Sequence, residues 1–238
     1  MIVCLDSGNT RIKWGVHDGK RWLAQGAVAQ EESGRLAELV ARWPQPARVV
    51  LANVAGEQAA ARIAAALAAW GLPLTAVRAG KHCCGVTNLY DDPARLGVDR
   101  WCALIGAHHL LGTAAVVVMA GTATTIDTLD ADGNFLGGFI LPGLRLMQAA
   151  LAHGTAGLPL AAGQYAPWPR NTDDAIHAGA IEALRGAVER AFGRLQAPAK
   201  TCLVAGGDAE IIGAGLAVPW RLAHNLPLEG LKEIALHS

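Results

Sequence analysis

The chain has 238 residues, of which 52% are hydrophobic and 17% charged, and its 20 basic and 20 acidic side chains balance to a formal net charge of zero. This composition is typical of a globular α/β protein with a large core, and it excludes disordered and fibrous classes. No basic run interleaved with aromatic residues occurs, so we expect no nucleic-acid partner, although a few local groups could still hold a small anion.

The start of the chain and its cysteines predict a cytoplasmic protein. The N-terminal segment lacks a basic region and a small-residue cleavage site, so we expect no signal peptide. The apolar run from Ala114 to Ala120 is too short to span a bilayer, so we expect no membrane partner. The cysteines are odd in number and favour reduced thiols without a zinc-site spacing: Cys4, Cys83, Cys84, Cys102 and Cys202.

The first predicted element is a strand, MIVCLDSGNT, that ends in Asp6 and a Ser-Gly-Asn-Thr turn before a second extended stretch. A glycine turn directly after a strand lets backbone N–H groups approach a phosphate with no Cβ in the way. Asn9, Thr10 and Lys13 add donors, and Asp6 is placed to hold Mg²⁺ directly or through water. The alternative is a turn whose Asp and Asn only satisfy local backbone groups, and these residues alone do not decide between the two.

An amphipathic pattern predicts a helix over Glu57 to Trp70, and a second helix is predicted over Leu96 to Leu111. The second overlaps the stretch YDDPARLGVDRW, in which Asp99 and Arg100 follow a glycine near the helix start. A carboxylate there could accept a hydroxyl proton while the guanidinium holds an anion. An ordinary surface Asp-Arg pair is the alternative, and on these residues alone it is the better hypothesis.

The next strand signal, AAVVVMAGTATTIDTL, begins at Ala114 and repeats the layout of the first, with small donors from Gly121 to Thr125. Gly8 and Gly121 lie 113 residues apart, about half the chain. This spacing predicts two copies of one module, with domains at 1–112 and 113–238, rather than a short-period solenoid. Turns with Gly and Thr are common, so two unrelated β-turns are the alternative.

A long loop is predicted from Gly157 to Asn171, followed by a helix over Asp173 to Leu195 with good N-cap chemistry. The third strand signal, TCLVAGGDAE, places Gly206 and Gly207 where adenine or ribose could lie against bare backbone. No Walker motif and no strand-linked G-x-G-x-x-G occur. Strands alternating with helices predict an α/β architecture, with a nucleotide fold other than the P-loop type.

Four motifs in this order and spacing, DSGNTRIKWG, YDDPARLGVDRW, AGTATTID and GGFILPG, resemble type III pantothenate kinases over Met1 to about Gly207. The resemblance implies the acetate-and-sugar-kinase, Hsp70 and actin superfold, with two duplicated ribonuclease-H-like domains and ATP in the cleft. It implies ATP-dependent phosphorylation of pantothenate to 4′-phosphopantothenate, the first committed step of coenzyme A biosynthesis. The family is typically homodimeric, with pantothenate bound near the subunit interface.

The resemblance also implies roles for particular residues. Asp99 would be the catalytic base, and Asp6 would orient Mg²⁺. Pantothenate would contact Tyr90, Gly97, Val98, Asp99, Arg100 and, across the subunit interface, Thr172. ATP would contact two phosphate loops, and Gly206 and Gly207 stay the predicted adenosine side; the loops comprise Asp6, Ser7, Gly8, Asn9, Thr10, Arg11, Ile12, Lys13, Gly121 and Thr122.

One departure from the family concerns Met119, where many members carry an Asp that is associated with a bound monovalent cation, K⁺ or NH₄⁺. A thioether is a weak acceptor without charge. Either the cation is not needed here, or other oxygens hold it, or the active site is impaired. Met119 therefore leaves open one alternative, a nucleotide-binding regulatory accessory protein with weak or no kinase activity. A second alternative is an ATPase of the same superfold with another small acceptor, and the YDDPARLGVDRW match counts against it.

Overall fold

The computed structural model describes residues 1–160 and 162–237, which divide into two compact units. The first unit comprises Met1–Leu110 and the C-terminal segment from Asn225 onward, and the second comprises Leu111–His224. Among the described residues, no helix combines the length and the apolar character needed to cross a membrane.

The first unit is built on a five-stranded sheet in the order β3-β2-β1-β4-β5. Strands β1 to β3 form an antiparallel meander, and β4 and β5 add in parallel on the other side of β1. The strands are β1 (Ile2–Ser7), β2 (Arg11–His17), β3 (Trp22–Ala29), β4 (Arg48–Asn53) and β5 (Leu74–Ala76).

Helices and a small hairpin complete this N-terminal part. A 3₁₀ helix (Gln30–Leu36) leads into α1 (Ala37–Arg42), and α2 (Glu57–Leu67) ends in a second 3₁₀ turn at Ala68–Trp70. The hairpin consists of β6 (His82–Cys83) and β7 (Val86–Asn88). A third 3₁₀ turn (Pro93–Arg95) precedes α3 (Val98–Leu111), so the first two predicted helices are confirmed.

Strand β1 is buried on both faces, which explains its continuous apolar sequence. Val3 and Leu5 pack in one cluster with Ile63 of α2, and the alternate residues Ile2 and Cys4 pack in another on the opposite face. Successive side chains of a strand point to opposite faces, so each face needs its own cover.

The second unit repeats the same plan, with strands in the order β12-β11-β8-β9-β10. Strands β8 to β10 are antiparallel neighbours, and β11 and β12 are parallel to β8. The elements are β8 (Ala114–Ala120), β9 (Ala123–Leu129), β10 (Asn134–Pro142), α4 (Leu144–Gly154), α5 (Thr172–Arg194), β11 (Lys200–Ala205), α6 (Ala209–Gly213) and β12 (Trp220–Leu222). The shared strand order confirms the duplicated α/β architecture, and α5 confirms the third predicted helix.

The last helix, α7 (Leu226–His237), departs from the predicted halves 1–112 and 113–238, because it packs on the first sheet. Leu228 and Leu231 join the cluster around Ile2 and Cys4 and cover the face of β1 that α2 leaves open. A Cβ on Gly230 would overlap the carbonyl oxygen of Cys102, so this glycine lets α7 approach α3 closely.

Candidate active site

The turn between β1 and β2 forms a compact hairpin tip. The Gly8 N–H donates to the carbonyl oxygen of Arg11 at 3.1 Å, while Asn9 and Thr10 are exposed at the tip. Asp6 lies opposite Lys13 in the strand register. The predicted first phosphate loop is therefore an ordered turn with exposed polar groups next to a carboxylate and an ammonium group.

Gln30, which the sequence did not indicate, stabilises this turn with three hydrogen bonds. Its Nε2 donates to Ser7 Oγ at 2.8 Å and to the Gly8 carbonyl oxygen at 2.6 Å, and its backbone N–H donates to the Thr10 carbonyl oxygen at 3.1 Å. Of the two polar groups of the Gln30 side chain, only the N–H₂ can donate to a carbonyl oxygen, so the bond to Gly8 fixes the orientation of the amide. The buried Gln30 Oε1 has no hydrogen-bond partner among the described residues.

The environment of Asp6 is electrostatically unusual. Burial raises the pKa of Asp6 to about 6, the positive charge of Lys13 opposes this rise, and the negative charge of Asp99 adds to it. Burial also raises the pKa of the Cys102 thiol, and the charges of Asp6 and Asp99 contribute to that rise. The structure thus brings the predicted magnesium residue and the predicted base into one neighbourhood within the first unit.

Asp99 lies in the first turn of α3, two residues after Gly97. A Cβ on Gly97 would lie 2.7 Å from Asp99 Oδ1, so the glycine leaves room for the carboxylate. The Trp101 N–H donates to the Gly97 carbonyl oxygen at 2.9 Å and holds this backbone in place. Gly97 therefore leaves room for the carboxylate of the predicted base, which explains why a glycine precedes the Val-Asp-Arg sequence.

Tyr90 and Arg100 form a pair in the same unit. An Arg100 guanidinium N–H donates to the Tyr90 hydroxyl oxygen at 3.0 Å, and the guanidinium carbon lies 5.7 Å from the centre of the tyrosine ring. Arg100 is only 4% exposed, and Asn88 orders the segment by accepting from the Tyr90 N–H at 3.0 Å. The surface Asp-Arg pair considered from the sequence is therefore excluded, because the guanidinium is buried.

The turn between β8 and β9 in the second unit depends on two glycines outside it. The Gly143 N–H donates to the Thr122 carbonyl oxygen at 2.9 Å, and a Cβ on Gly143 would overlap the carbonyl oxygen of Gly121. Gly206, with φ +108°, lies so close to Ala120 that a Cβ would overlap the carbonyl oxygen of that residue. Gly143, the last residue of GGFILPG, thus acts by supporting the second predicted phosphate loop.

Met119 occupies in β8 the place that Asp6 occupies in β1, since each lies two residues before the turn glycine. Its neighbours in the register are Thr125 on β9 and Ala205 on β11. The buried Thr125 hydroxyl has no hydrogen-bond partner among the described residues. A hydroxyl and a thioether form a poor ligand set for K⁺, which prefers several oxygen ligands.

The remaining predicted site residues differ in their exposure and in the space around them. Ile12 is fully buried in the core, so its side chain cannot contact a ligand at the turn. Gly207 has open space where a Cβ would be, unlike its neighbour Gly206. Thr172 is exposed in the first turn of α5, whose N-cap Asn171 accepts from the Asp174 N–H at 2.9 Å.

Comparisons with known proteins find relatives along the whole chain. A family model described as type III pantothenate kinase matches residues 2–194. A curated protein of that name from Dechloromonas aromatica is 65% identical over 238 residues, covering 100% of both chains. Another of that name from Aromatoleum aromaticum is 50% identical over 236 residues, covering 99% of this chain and 98% of the relative.

Solved structures show the same fold. One, described as a conserved Baf family transcriptional activator from Campylobacter jejuni, has a TM-score of 0.65 at 20% identity and covers 99% of this chain and 98% of its own. Another, described as a 2-dehydro-3-deoxygalactonokinase from Sinorhizobium meliloti, has a TM-score of 0.60 at 13% identity and covers 100% and 99%. At such identities these likenesses show a shared fold, consistent with the predicted duplicated α/β architecture, and nothing about activity.

Proposed function

The chain belongs to the type III pantothenate kinase family, and from this premise we infer that it transfers the γ-phosphoryl group of ATP to the primary hydroxyl of pantothenate. The product, 4′-phosphopantothenate, enters coenzyme A biosynthesis. The observation that carries this inference is the 65% identity to a type III pantothenate kinase over the whole chain. The regulatory alternative is not favoured, because its structural support is a 20% identical neighbour that shares the fold.

Asp99 is the base that accepts the hydroxyl proton of pantothenate. Asp99 lies in the first turn of α3 near Gly97, whose lack of a side chain leaves space at the carboxylate for the pantothenate hydroxyl. In phosphoryl transfer the proton leaves late and positioning supplies most of the acceleration, so the base must also orient the hydroxyl. Gly97 and Val98 line the approach to it.

The Tyr90–Arg100 pair binds the carboxylate end of pantothenate. The buried guanidinium is already oriented by the tyrosine hydroxyl, so little side-chain entropy is lost when an anion binds. Exposed apolar side chains in the second unit, among them Phe139, Ile140 and Trp168, support a homodimer. In that dimer, Thr172 of the partner subunit contacts pantothenate.

Sedimentation equilibrium of the purified protein would measure the oligomeric state.

The two turns bind the phosphates of ATP through backbone N–H groups and small side chains. The first comprises Asp6 to Lys13, the second Gly121 and Thr122, and Gly206 and Gly207 form the adenosine side. Mg²⁺ fits Asp6, because a buried carboxylate with a raised pKa gains from a nearby cation. When bound, the ion would neutralise charge on the phosphates.

The reaction takes place in the cytoplasm, where ATP and reduced cysteines coexist. All five cysteines are free, as a reducing compartment requires.

The assay that tests this function incubates the protein with ATP, Mg²⁺ and pantothenate and follows 4′-phosphopantothenate by mass. Parallel reactions contain Na⁺, K⁺, NH₄⁺ or no added monovalent cation. We expect product in every reaction at similar rates, because Met119 and Thr125 form a poor site for K⁺. ATP turnover without pantothenate would favour the ATPase alternative, and ATP binding without turnover would favour the regulator.

Asp6→Asn should separate stability from function. The ionised carboxylate costs stability in the ligand-free protein, since its pKa is raised from 3.8 to about 6. The cost is small at pH 4, grows as the pH rises from about 4 to about 6, and levels off at about 2–3 kcal/mol by neutral pH. The variant should therefore be more stable than the wild type at pH 7 but not at pH 4, as measured by urea unfolding.

The same variant should use Mg-ATP poorly, and wild-type kcat/KM for Mg-ATP should fall as the pH drops through about 6. Asp18→Asn is the matched control, because backbone N–H groups of Arg21 and Lys20 lower the pKa of Asp18. Its replacement should give no gain in stability at any pH. A stability of Asp6→Asn that tracks the wild type from pH 4 to pH 7 would contradict the assignment.

Gln30→Met should raise the KM for ATP about tenfold and leave kcat nearly unchanged, because it removes the bonds that order the first turn without creating a large cavity. Steady-state kinetics with ATP as the varied substrate measure this split. Gln25→Ala on β3, the strand that precedes Gln30, is the control, since Gln25 is exposed and its Oε1 accepts from the Asn225 amide instead. An unchanged KM in a folded Gln30→Met protein would show that the turn orders itself.

A further inference from the structure

The hairpin of β6 and β7 carries two adjacent cysteines at its tip. Cys83 ends β6, and the two-residue turn consists of Cys84 with φ 47° and Gly85 with φ 80°. Positive φ at both turn positions is the arrangement that matches the twist of a two-residue hairpin. A cysteine is an unusual choice there, because a side chain with φ in this region is strained.

The turn holds the two sulfur atoms together. Cys83 Sγ and Cys84 Sγ lie 3.6 Å apart, and both side chains are half-buried, hence within reach of solvent. Cys4, Cys102 and Cys202 are fully buried. The described protein therefore presents one accessible dithiol, on the face of the first unit that also contains His108.

A cavity of about 420 Å³ adjoins Cys84 and gives the dithiol a partly enclosed surrounding. Its lining comprises Cys84, Gly85, His108, His109, Glu233 and His237. The Glu233 carboxylate is already held by Lys232 at 3.0 Å and by His109 at 3.2 Å. Among the described residues, no three histidine, cysteine or acidic side chains converge in a metal-binding arrangement. A ligand that needs only two sulfur atoms and some space beside them fits this place better than a zinc ion.

The protonation state of Cys84 limits which reactions this site favours. Burial, and then the contact with Cys83, raise the pKa of the Cys84 thiol to about 12. Cys84 is thus a neutral thiol at physiological pH, and alkylation or disulfide exchange, which require the thiolate, are slow there. A reaction that consumes neutral S–H groups is not disfavoured in this way.

We propose that Cys83 and Cys84 form a chelating site for monosubstituted trivalent arsenicals, R–As=O. Two S–H bonds break and two As–S bonds form, while the arsenic–oxygen bond is lost and the oxygen leaves as water with both thiol protons. Arsenic stays trivalent and no electrons are transferred. The sulfur separation is close to what one bridging atom requires, and the adjoining cavity receives the organic substituent.

The experiment treats the purified protein with one equivalent of phenylarsine oxide and records its intact mass. We expect one adduct, heavier than the protein by a phenylarsenic unit less two hydrogens. Ethane-1,2-dithiol should remove it, whereas 2-mercaptoethanol at the same thiol concentration should not. Because a chelate gains from the effective concentration of its second sulfur, Cys83→Ser and Cys84→Ser should each bind at least about a hundredfold more weakly.

Cys202→Ala is the matched control and should keep the adduct, because Cys202 is fully buried in the core cluster of the second unit. The half-buried positions of Cys83 and Cys84 make serine variants that fold, and the reversal by dithiol needs no variant. The proposal is overturned if no adduct forms, if either serine variant binds as tightly as the wild type, or if the monothiol removes the adduct as readily as the dithiol.

Discussion

Asp99→Asn is expected to lower kcat by about 10²–10⁴-fold, with little change in KM for ATP or pantothenate. Asparagine has the size and shape of aspartate but cannot accept the hydroxyl proton, and its N–H₂ group would turn a donor toward a hydroxyl that needs an acceptor. The position next to Gly97 accommodates both side chains. Steady-state kinetics and thermal unfolding of the same preparation measure the loss and exclude a folding defect.

Asp92→Asn is the matched control for this experiment. Asp92 belongs to the same segment and accepts from the Ala94 N–H at 3.1 Å at the start of a 3₁₀ turn, a role that asparagine also fills. Its turnover should stay close to that of the wild type. A folded Asp99→Asn protein with normal turnover would remove Asp99 from the role of base.

Gly206→Ala is expected to lower the free energy of unfolding by about 1–3 kcal/mol and to impair use of ATP. Two causes act together: φ is +108°, and the new Cβ would overlap the carbonyl oxygen of Ala120. Ala120 also accepts from the Asp208 N–H at 3.2 Å, so its displacement would disturb the end of β8 and the turn at Gly121. Urea unfolding and the KM for ATP report the two effects separately.

Gly207→Ala is the matched control for Gly206→Ala, because the two glycines are adjacent and both are predicted to lie on the adenosine side of the site. A Cβ on Gly207 meets no atom within 4 Å, so the variant should be as stable as the wild type. If it raises the KM for ATP without loss of stability, Gly207 approaches the nucleotide. Equal loss of stability in both variants would contradict the packing role assigned to Gly206.

The duplicated fold could be predicted from the sequence because its signals are local. Each copy begins with an apolar strand followed within a few residues by a glycine and a threonine, and the two turn glycines are 113 residues apart. The three predicted helices follow from periodicity and capping residues in the same way. The placement of α7 could not be predicted, since an apolar helix face does not specify which sheet it will cover.

The sequence by itself determined the family and the α/β class, because four motifs keep their chemistry within short stretches of chain. Only the tertiary structure decided which distant residues support the two predicted phosphate loops. Gln30 carries no local signal, because it bonds to a turn 22 residues earlier. The GGFILPG motif includes Gly143, but the motif does not reveal that this glycine packs on the turn at Gly121. Such contacts form between distant segments, so packing geometry rather than neighbouring residues specifies them.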